Sequence, residues 1–374
     1  MYGQWIGPIT GTTEGVAVVD LDEEGDHYRG HALYFPHDLS LPGTVAMIRT
    51  PDKTGTAELK GVQIAPLDRR GSVIQPGHMN VAYPNAVHGG QADIKMSLAE
   101  DGLLDVSYVT RFAHPELGEL STDGQGRLTF HDGSRPSGVE PLPEVTDWAS
   151  FKDYVAGLNA RRFIYRGQPC LNRLRTSFHR TRRSDLVRYV DEDVPLLHRH
   201  LTPQTQHLFN LSDPQQTGAF YNLMQHHGYP TPLLDWSTSP FISAFFAFRE
   251  RTPPDQKVRV YIFDRETWVA KVQQFDRLTF LPPHLSVIEL LGIENKRMIP
   301  QQALSTLTNI DDIETYIHFW EQQIGLQLLY AADLHASERA KVFNDLSLMG
   351  ISSASLFPGF DGTCEALRGR MFGH

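Results

Sequence analysis

Several polar residues in this chain stand where ordinary surface would not place them. Gln225, His226 and His227 precede Gly228, and a few positions on come Asp235, Ser237, Thr238 and Ser239, wedged against Leu233, Leu234 and Trp236 on one side and Phe241 on the other. Hydroxyls between a strand and a helix lie where unpaired N–H groups and a partial positive charge can receive an anion. Upstream, Arg166 follows the apolar run Phe163-Ile164-Tyr165 and precedes Gly167-Gln168, so a guanidinium fork suited to phosphate would sit at the end of a buried strand. Downstream, the amides of Gln301 and Gln302 can hydrogen-bond a sugar hydroxyl but cannot ionise. Asp235, His226 and His227 offer a carboxylate and imidazoles for charge stabilisation or proton transfer. Taken alone, the Ser-Thr-Ser turn reads as a helix cap and the histidines as turn residues; only partners elsewhere in the chain make it a site.

The elements that must hold these groups are legible. A short buried strand at Leu233 and Leu234 leads through the turn into a helix capped by Ser239, with Pro240 at its first position. Phe241, Ala244, Phe245 and Phe248 fall at i, i+3, i+4 and i+7 and give that helix one apolar face. Asp147 caps another helix, on which Trp148, Phe151, Tyr154, Val155 and Leu158 share a face, and it hands over to the strand Phe163-Ile164-Tyr165. Val258 to Phe263 reads as a further strand and Asn295 to Ser305 as a mixed strand or turn. Ile313, Ile317, Trp320, Ile324 and Leu328 mark a long helix, Glu338 to Met349 a second that Gly350 stops, and Ser355 to Gly362 a tight ending.

Before all this, residues 1–133 alternate with period two between Gly, Asp and Pro turns. Val16 to Asp22 and Tyr28 to Phe35 form a hairpin, Ile94 to Leu98 and Leu104 to Tyr108 another, and Arg127 to Phe130 one more strand. The expected architecture is α+β: an N-terminal antiparallel β sandwich or barrel, a Pro- and Gly-rich linker at 134–146, and a mixed α/β domain at 147–374. Trp5, Tyr28, Tyr34 and Tyr108 read as core of the first domain, with a ligand-lining role as the alternative.

The totals narrow the class. The chain has 374 residues, 40% of them hydrophobic and 21% charged, and a net charge of -10, which argues against a protein that coats nucleic acid over its whole surface. Cys170 and Cys364 form no Cys-x-x-Cys pair, and His27, His31, His37 and His78 have no metal-ligand spacing, so no metal site is expected. Without a basic start leading into an apolar run, or an apolar stretch long enough to span a bilayer, the expectation is a cytoplasmic protein with no membrane partner. Against the acidic total stands a local run, Arg161, Arg162, Arg166, Arg173, Arg175, Arg180, Arg182, Arg183 and Arg188, opposed within it by Asp185 alone. It reads either as a solvated face, partly paired to Asp191-Glu192-Asp193, or as contacts to phosphate.

Tyr165-Arg166-Gly167-Gln168, Gln225-His226-His227-Gly228, Leu233 to Pro240, Arg297 with Gln301-Gln302, and Gly350-Ile351 with Ser355 to Pro358 together resemble the FRG domain over about residues 146–367. The first two motifs are also similar to those of ADP-ribosyltransferases of the Arg-Ser-Glu type. That resemblance implies a corresponding fold and NAD as cofactor, bound by Tyr165, Arg166, Gly167, Gln168, Gln225, Ser237, Thr238 and Ser239, with Arg166 on the phosphates and the Ser-Thr-Ser element shaping the nicotinamide pocket. Phe245 or Tyr261 would stack on nicotinamide if not spent in the core.

Where that group carries a glutamate on a later strand, this chain has Gln301 and Gln302. The catalytic candidates are therefore Gln302, Gln301, Asp235, His226 and His227, with Glu289 as a further carboxylate. Two readings follow. One is an ADP-ribosyltransferase-like enzyme whose acceptor, nucleic acid or protein, is engaged through Arg161, Arg162, Arg173, Arg175, Arg182 and Arg183. The other is a non-catalytic nucleotide- or nucleic-acid-binding module with the same pocket.

Overall fold

The computed structural model describes residues 1–84, 86, 88–114 and 118–372. Alternating apolar residues fold the first part into a closed antiparallel barrel of β1 (Gly3–Gly11), β2 (Gly15–Glu24), β3 (His27–Pro36), β4 (Gly43–Arg49), β5 (Thr56–Leu67), β6 (Gln91–Leu98), β7 (Leu104–His114) and β8 (Gly118–His131). Each strand pairs with the next in sequence, and β1 closes against β8. Of the two β architectures the sequence allows, the barrel is the one formed, and closure leaves no unpaired edge. Every second residue points inward, so Trp5, Val19, Leu21, Ile48, Met96 and Leu128 fill the interior. Tyr28 is buried in that cluster, and Tyr34 and Tyr108 pack on it with ring centres 5.9 Å apart. Trp5 and Tyr28 are core, and Tyr34 and Tyr108 are half-buried against it.

The second part is a six-stranded antiparallel sheet in the order β12-β13-β10-β9-β11-β14. Its strands are β9 (Phe163–Gln168), β10 (Leu233–Ser237), β11 (Lys257–Asp264), β12 (Leu285–Ile288), β13 (Ala303–Thr308) and β14 (Leu329–His335). Helices cover both faces. The Trp148–Ala156, Pro240–Arg249 and Arg339–Leu348 helices pack with Phe163, Tyr165, Val260 and Ile262; the Ile313–Ile324 helix packs with Ile164, Trp236, Tyr261 and Phe263. β11, buried along all but its first residue, is apolar throughout most of its length because it has a core on each side. Asp147 and Ser150 form the expected capping box, and Gly325 (φ 73°) ends the Ile313–Ile324 helix before Leu328. Ser355 to Gly362 differs from expectation: a short helix, Ser353–Leu356, is followed by a longer one, Phe360–Phe372. No helix among the described residues is long and apolar enough to cross a membrane.

β9 and β10 neighbour each other in the sheet yet pair only at Ser237 and Tyr165, whereas β9 pairs with β11 along its whole length. The sheet therefore opens between β9 and β10.

The arginine run has a structural use that local sequence does not reveal. Arg162 donates two hydrogen bonds to Asp264 Oδ2, Arg173 one to Asp312 at 2.7 Å, and Arg175 two to Asp311, at 2.5 and 2.6 Å. Arg183 joins Asp22 of the barrel, 3.0 Å away, to Asp193, and the Arg182 guanidinium lies 4.8 Å from the centre of the Tyr2 ring. Arg162, Arg173, Arg175 and Arg183, four of the six arginines expected to meet an acceptor, are thus bonded to carboxylates of the molecule itself, while Arg161, Arg162 and Arg182 are exposed. A guanidinium already bonded to a buried carboxylate has fewer donors left for a phosphate, so Arg173 and Arg175, the least exposed of the set, serve the fold first.

Barrel and sheet domain meet through the same residues. Gln4 donates to Asn309 O (2.7 Å) and Asp20 Oδ1 (2.9 Å) and accepts from Asp311 N–H, while His31 bonds Asp185 at 2.9 Å. The linker is docked too: Ser137 donates to Glu314 and accepts from Arg259, and Leu142 N–H donates to Ala331 O. Burial raises the Asp20 carboxyl well above the usual 3.8, opposed by the Gln4 hydrogen bond and reinforced by Asp185, Asp22 and Asp311. A raised native value means that stability is full below 3.8 and falls as pH rises through the native value. Asp20→Asn, which keeps an acceptor for Gln4, is expected to stabilise the chain by about 1–3 kcal/mol at pH 7, with the gain disappearing as pH drops towards about 4. Thermal unfolding across that range measures it; a destabilised variant at pH 7 counts against the burial account.

Candidate functional site

A cavity of about 380 Å³ lies at the opening of the sheet. β9 brings Tyr165, Arg166 and Gly167, β10 brings Asp235, Trp236 and Ser237, and the Pro214–His226 helix ends in Gln225 and His226. Arg297, Met298 and Gln301 come from the turn before β13, and Phe357 from the chain just after the Ser353–Leu356 helix.

Close packing of β9 on the Pro240–Arg249 helix fixes the position of Arg166. A Cβ on Gly167 would stand 1.8 Å from the Ser243 carbonyl oxygen and 2.6 Å from Ala247 N, so only glycine lets strand and helix meet there. Arg166 Nη1 donates to the Asp235 carbonyl at 2.6 Å, tying β9 to β10. No carboxylate lies within ion-pair distance of its guanidinium among the described residues. Burial lowers its pKa to about 10, against the pull of Asp235 and with a push from Arg180, so it stays protonated at neutral pH.

The Asp235 side chain is held from two sides. Gln225 Nε2 donates to Oδ2, and Ser305 Oγ donates to Oδ1 at 3.5 Å. The Thr231 hydroxyl donates to Gln225 Oε1 and so turns that amide with its nitrogen towards Asp235. Asp235 is nevertheless exposed, which leaves its carboxylate open to the cavity. His226 lies near Arg297; burial, then Arg297 and His227, lowers its pKa to about 4, so its imidazole is neutral at pH 7.

The Ser-Thr-Ser element serves the fold. Ser237 Oγ donates to Gln301 O at 2.8 Å and accepts from Ser239 N–H at 3.1 Å. Ser239 caps the Pro240–Arg249 helix by accepting from Ile242 N–H. The Thr238 hydroxyl donates to Gln302 Oε1 at 3.2 Å, and its N–H donates to Gln302 O. Of the residues expected at the site, Tyr165, Arg166, Gly167, Gln225, His226, Asp235, Ser237 and Gln301 line the cavity. Gln168, His227, Thr238, Ser239 and Gln302 do not: Gln168 is buried and donates to Asn172 O, and His227 caps the end of the Pro214–His226 helix. Phe245 and Tyr261 are wholly buried in the two cores, and Glu289 sits apart, near Arg265.

The sequence reading missed Asn222, Asn295, Phe246, Arg249, Glu250 and a role for Phe357. A signal existed. Ser243, Phe246 and Arg249 recur at i, i+3 and i+6 on the face of the helix away from the Phe241-Ala244-Phe245-Phe248 stripe, and all three line the cavity.

With Arg166 and Arg297 both lacking a carboxylate partner among the described residues, Asp235 projecting into the space, and amides and aromatic rings around them, the cavity suits a phosphorylated ligand with hydroxyls and a planar ring. Comparison with curated proteins finds no match. Residues 161–256, the span within the sheet domain that carries Arg166, Gln225, Asp235, Ser237 and Arg249, match the family model of the FRG domain.

Proposed function

We propose that the Arg166 cavity binds NAD or a related nucleotide and that the chain is an ADP-ribosyltransferase-like enzyme with a nucleic-acid or protein acceptor. The observation that carries this reading is the meeting, in one cavity, of an arginine without an ion-pair partner among the described residues and the accessible Asp235 carboxylate. Bound NAD would supply the ADP-ribosyl group: the bond from ribose C1′ to nicotinamide breaks, nicotinamide leaves with the electron pair, and an acceptor lone pair forms the new bond to C1′. Arg166 anchors phosphate. Asp235, kept in place by Gln225 and Ser305, faces the positive charge that develops on the sugar and takes the proton the acceptor gives up. In this scheme Asp235 provides the charge that Gln301 and Gln302 cannot.

A second reading, a nucleotide-binding module without chemistry, draws on a different observation: the Ser237 hydroxyl is committed to internal hydrogen bonds and the Gln301 amide donates to Leu356 O. Nicotinamide release from NAD by the purified full chain, with and without protein or nucleic-acid acceptors, separates the two. NAD bound but never cleaved favours the module. Arg166→Ala should weaken NAD binding at least about tenfold, the loss of one charge-assisted phosphate contact. Its melting temperature should stay close to that of the parent, because the deleted cation was itself desolvated. Unchanged affinity sinks both readings.

A further inference from the structure

The cavity has a second cationic end. Arg249, at the end of the Pro240–Arg249 helix, and Arg297 both line it, and their guanidiniums lie 4.1 and 5.0 Å from the centre of the Phe357 ring. Two cations share one aromatic ring, and only one of them is neutralised. Glu365, on the Phe360–Phe372 helix, accepts hydrogen bonds from Arg249 Nε at 2.9 Å and Nη2 at 2.7 Å. Arg297 has no carboxylate within ion-pair distance among the described residues and feels Asp361 and Glu365 only at longer range; burial and Arg249 lower its pKa. Beside it, Asn295 Nδ2 donates to Asn222 Oδ1, so amide groups line this end as well.

The helix that carries Glu365 is lightly held. Its one buried residue is Gly362, while Phe360, Leu367, Met371 and Phe372 are exposed. Glu365 also accepts from Ser353 Oγ at 3.0 Å. A carboxylate on this helix reaches Arg249 but not Arg297. A phosphate, with more acceptor oxygens and more negative charge, can take both guanidiniums at once.

We propose that Arg249, Arg297 and Phe357 form an anion subsite for a phosphate group of the nucleotide, and that Glu365 fills it as an internal stand-in which the phosphate displaces. This rests on the reading of the cavity as a nucleotide site. The exchange makes and breaks no covalent bond: Arg249 trades a carboxylate for a phosphate, and Glu365 passes to solvent. Removing the stand-in therefore raises phosphate affinity, and removing Arg297 lowers it.

The test is calorimetric titration of the full chain with inorganic pyrophosphate and, separately, with ADP-ribose. Glu365→Gln is expected to tighten both about tenfold, and Arg297→Gln to weaken both about tenfold. Because Arg297 makes no contact with the Phe360–Phe372 helix through an ion pair, its variant stays informative even if Glu365→Gln loosens that helix. Unchanged pyrophosphate affinity in Arg297→Gln, or weaker affinity in a folded Glu365→Gln, overturns the subsite. A response to pyrophosphate without one to ADP-ribose overturns its assignment to the nucleotide. Absence of nicotinamide release alongside both expected shifts sinks the enzyme reading and leaves the subsite standing.

Discussion

Asp235→Asn is expected to lower nicotinamide release from NAD by about 100-fold or more while leaving NAD affinity within about threefold. Asparagine keeps the shape of the side chain and an oxygen for Gln225 or Ser305, so the cavity walls and the tie from the Asp235 carbonyl to Arg166 persist. Only the negative charge goes. A charge that acts on a developing cation contributes to the transition state far more than to the bound substrate, and so the loss falls on kcat rather than on binding. Measured kcat and KM, with NAD affinity taken independently, give the split. Release that survives the substitution removes Asp235 from the reaction and leaves Glu250 as the other carboxylate lining the cavity. Glu250→Gln is then the next variant to measure.

Gly167→Ala should be the most damaging single-methyl change in the sheet domain, costing about 3 kcal/mol or more of stability. The clash is with backbone, the Ser243 carbonyl oxygen at 1.8 Å and Ala247 N at 2.6 Å, and neither can turn away as a side-chain tip could. Relief requires β9 and the Pro240–Arg249 helix to separate. That would pull Tyr165, which is buried against the helix, out of its core and move Arg166 off the Asp235 carbonyl. Denaturant unfolding and nucleotide binding should therefore fail together in this variant, whereas Arg166→Ala should lose binding alone. A Gly167→Ala variant as stable as the parent means that strand and helix are less tightly apposed than the structure has them.

How much of this was legible in the sequence depended on the range of the interaction. Period-two alternation is local, and the hairpins at Val16 to Phe35 and Ile94 to Tyr108 appear as β2–β3 and β6–β7. Capping is local as well, and Asp147 and Ser239 cap their helices as read. The pairing of Arg183 with Asp193 and of Arg188 with Glu192 is local and follows the acidic run, but most of the arginine pairing is not. Seen along the chain, Arg162 to Arg183 face Asp185 alone, because Asp264, Asp311, Asp312 and Asp22 lie about a hundred positions or more away. The Phe360–Phe372 helix gave no periodic signal, since it contains two glycines, follows Pro358-Gly359 and leaves most of its large apolar side chains in water. Residue type and order mark Arg166, Gln225, Asp235 and Ser237; that Ser237 is spent on Gln301 O while Asp235 stays open depends on a contact between residues far apart in the chain.

The junction between barrel and sheet domain bears on modularity. Arg183 with Asp22, His31 with Asp185, and Gln4 with Asp311 and Asn309 each split one satisfied pair between the two domains. Cutting the chain in the 134–146 linker would break every such pair, and although Arg183 would keep Asp193 and Gln4 would keep Asp20, each fragment would be left with unmet hydrogen bonds on that face. The sheet domain transplanted behind another partner would carry the same mismatch. The two domains are in this sense written for each other, since each supplies the partners that the other's seam residues lack.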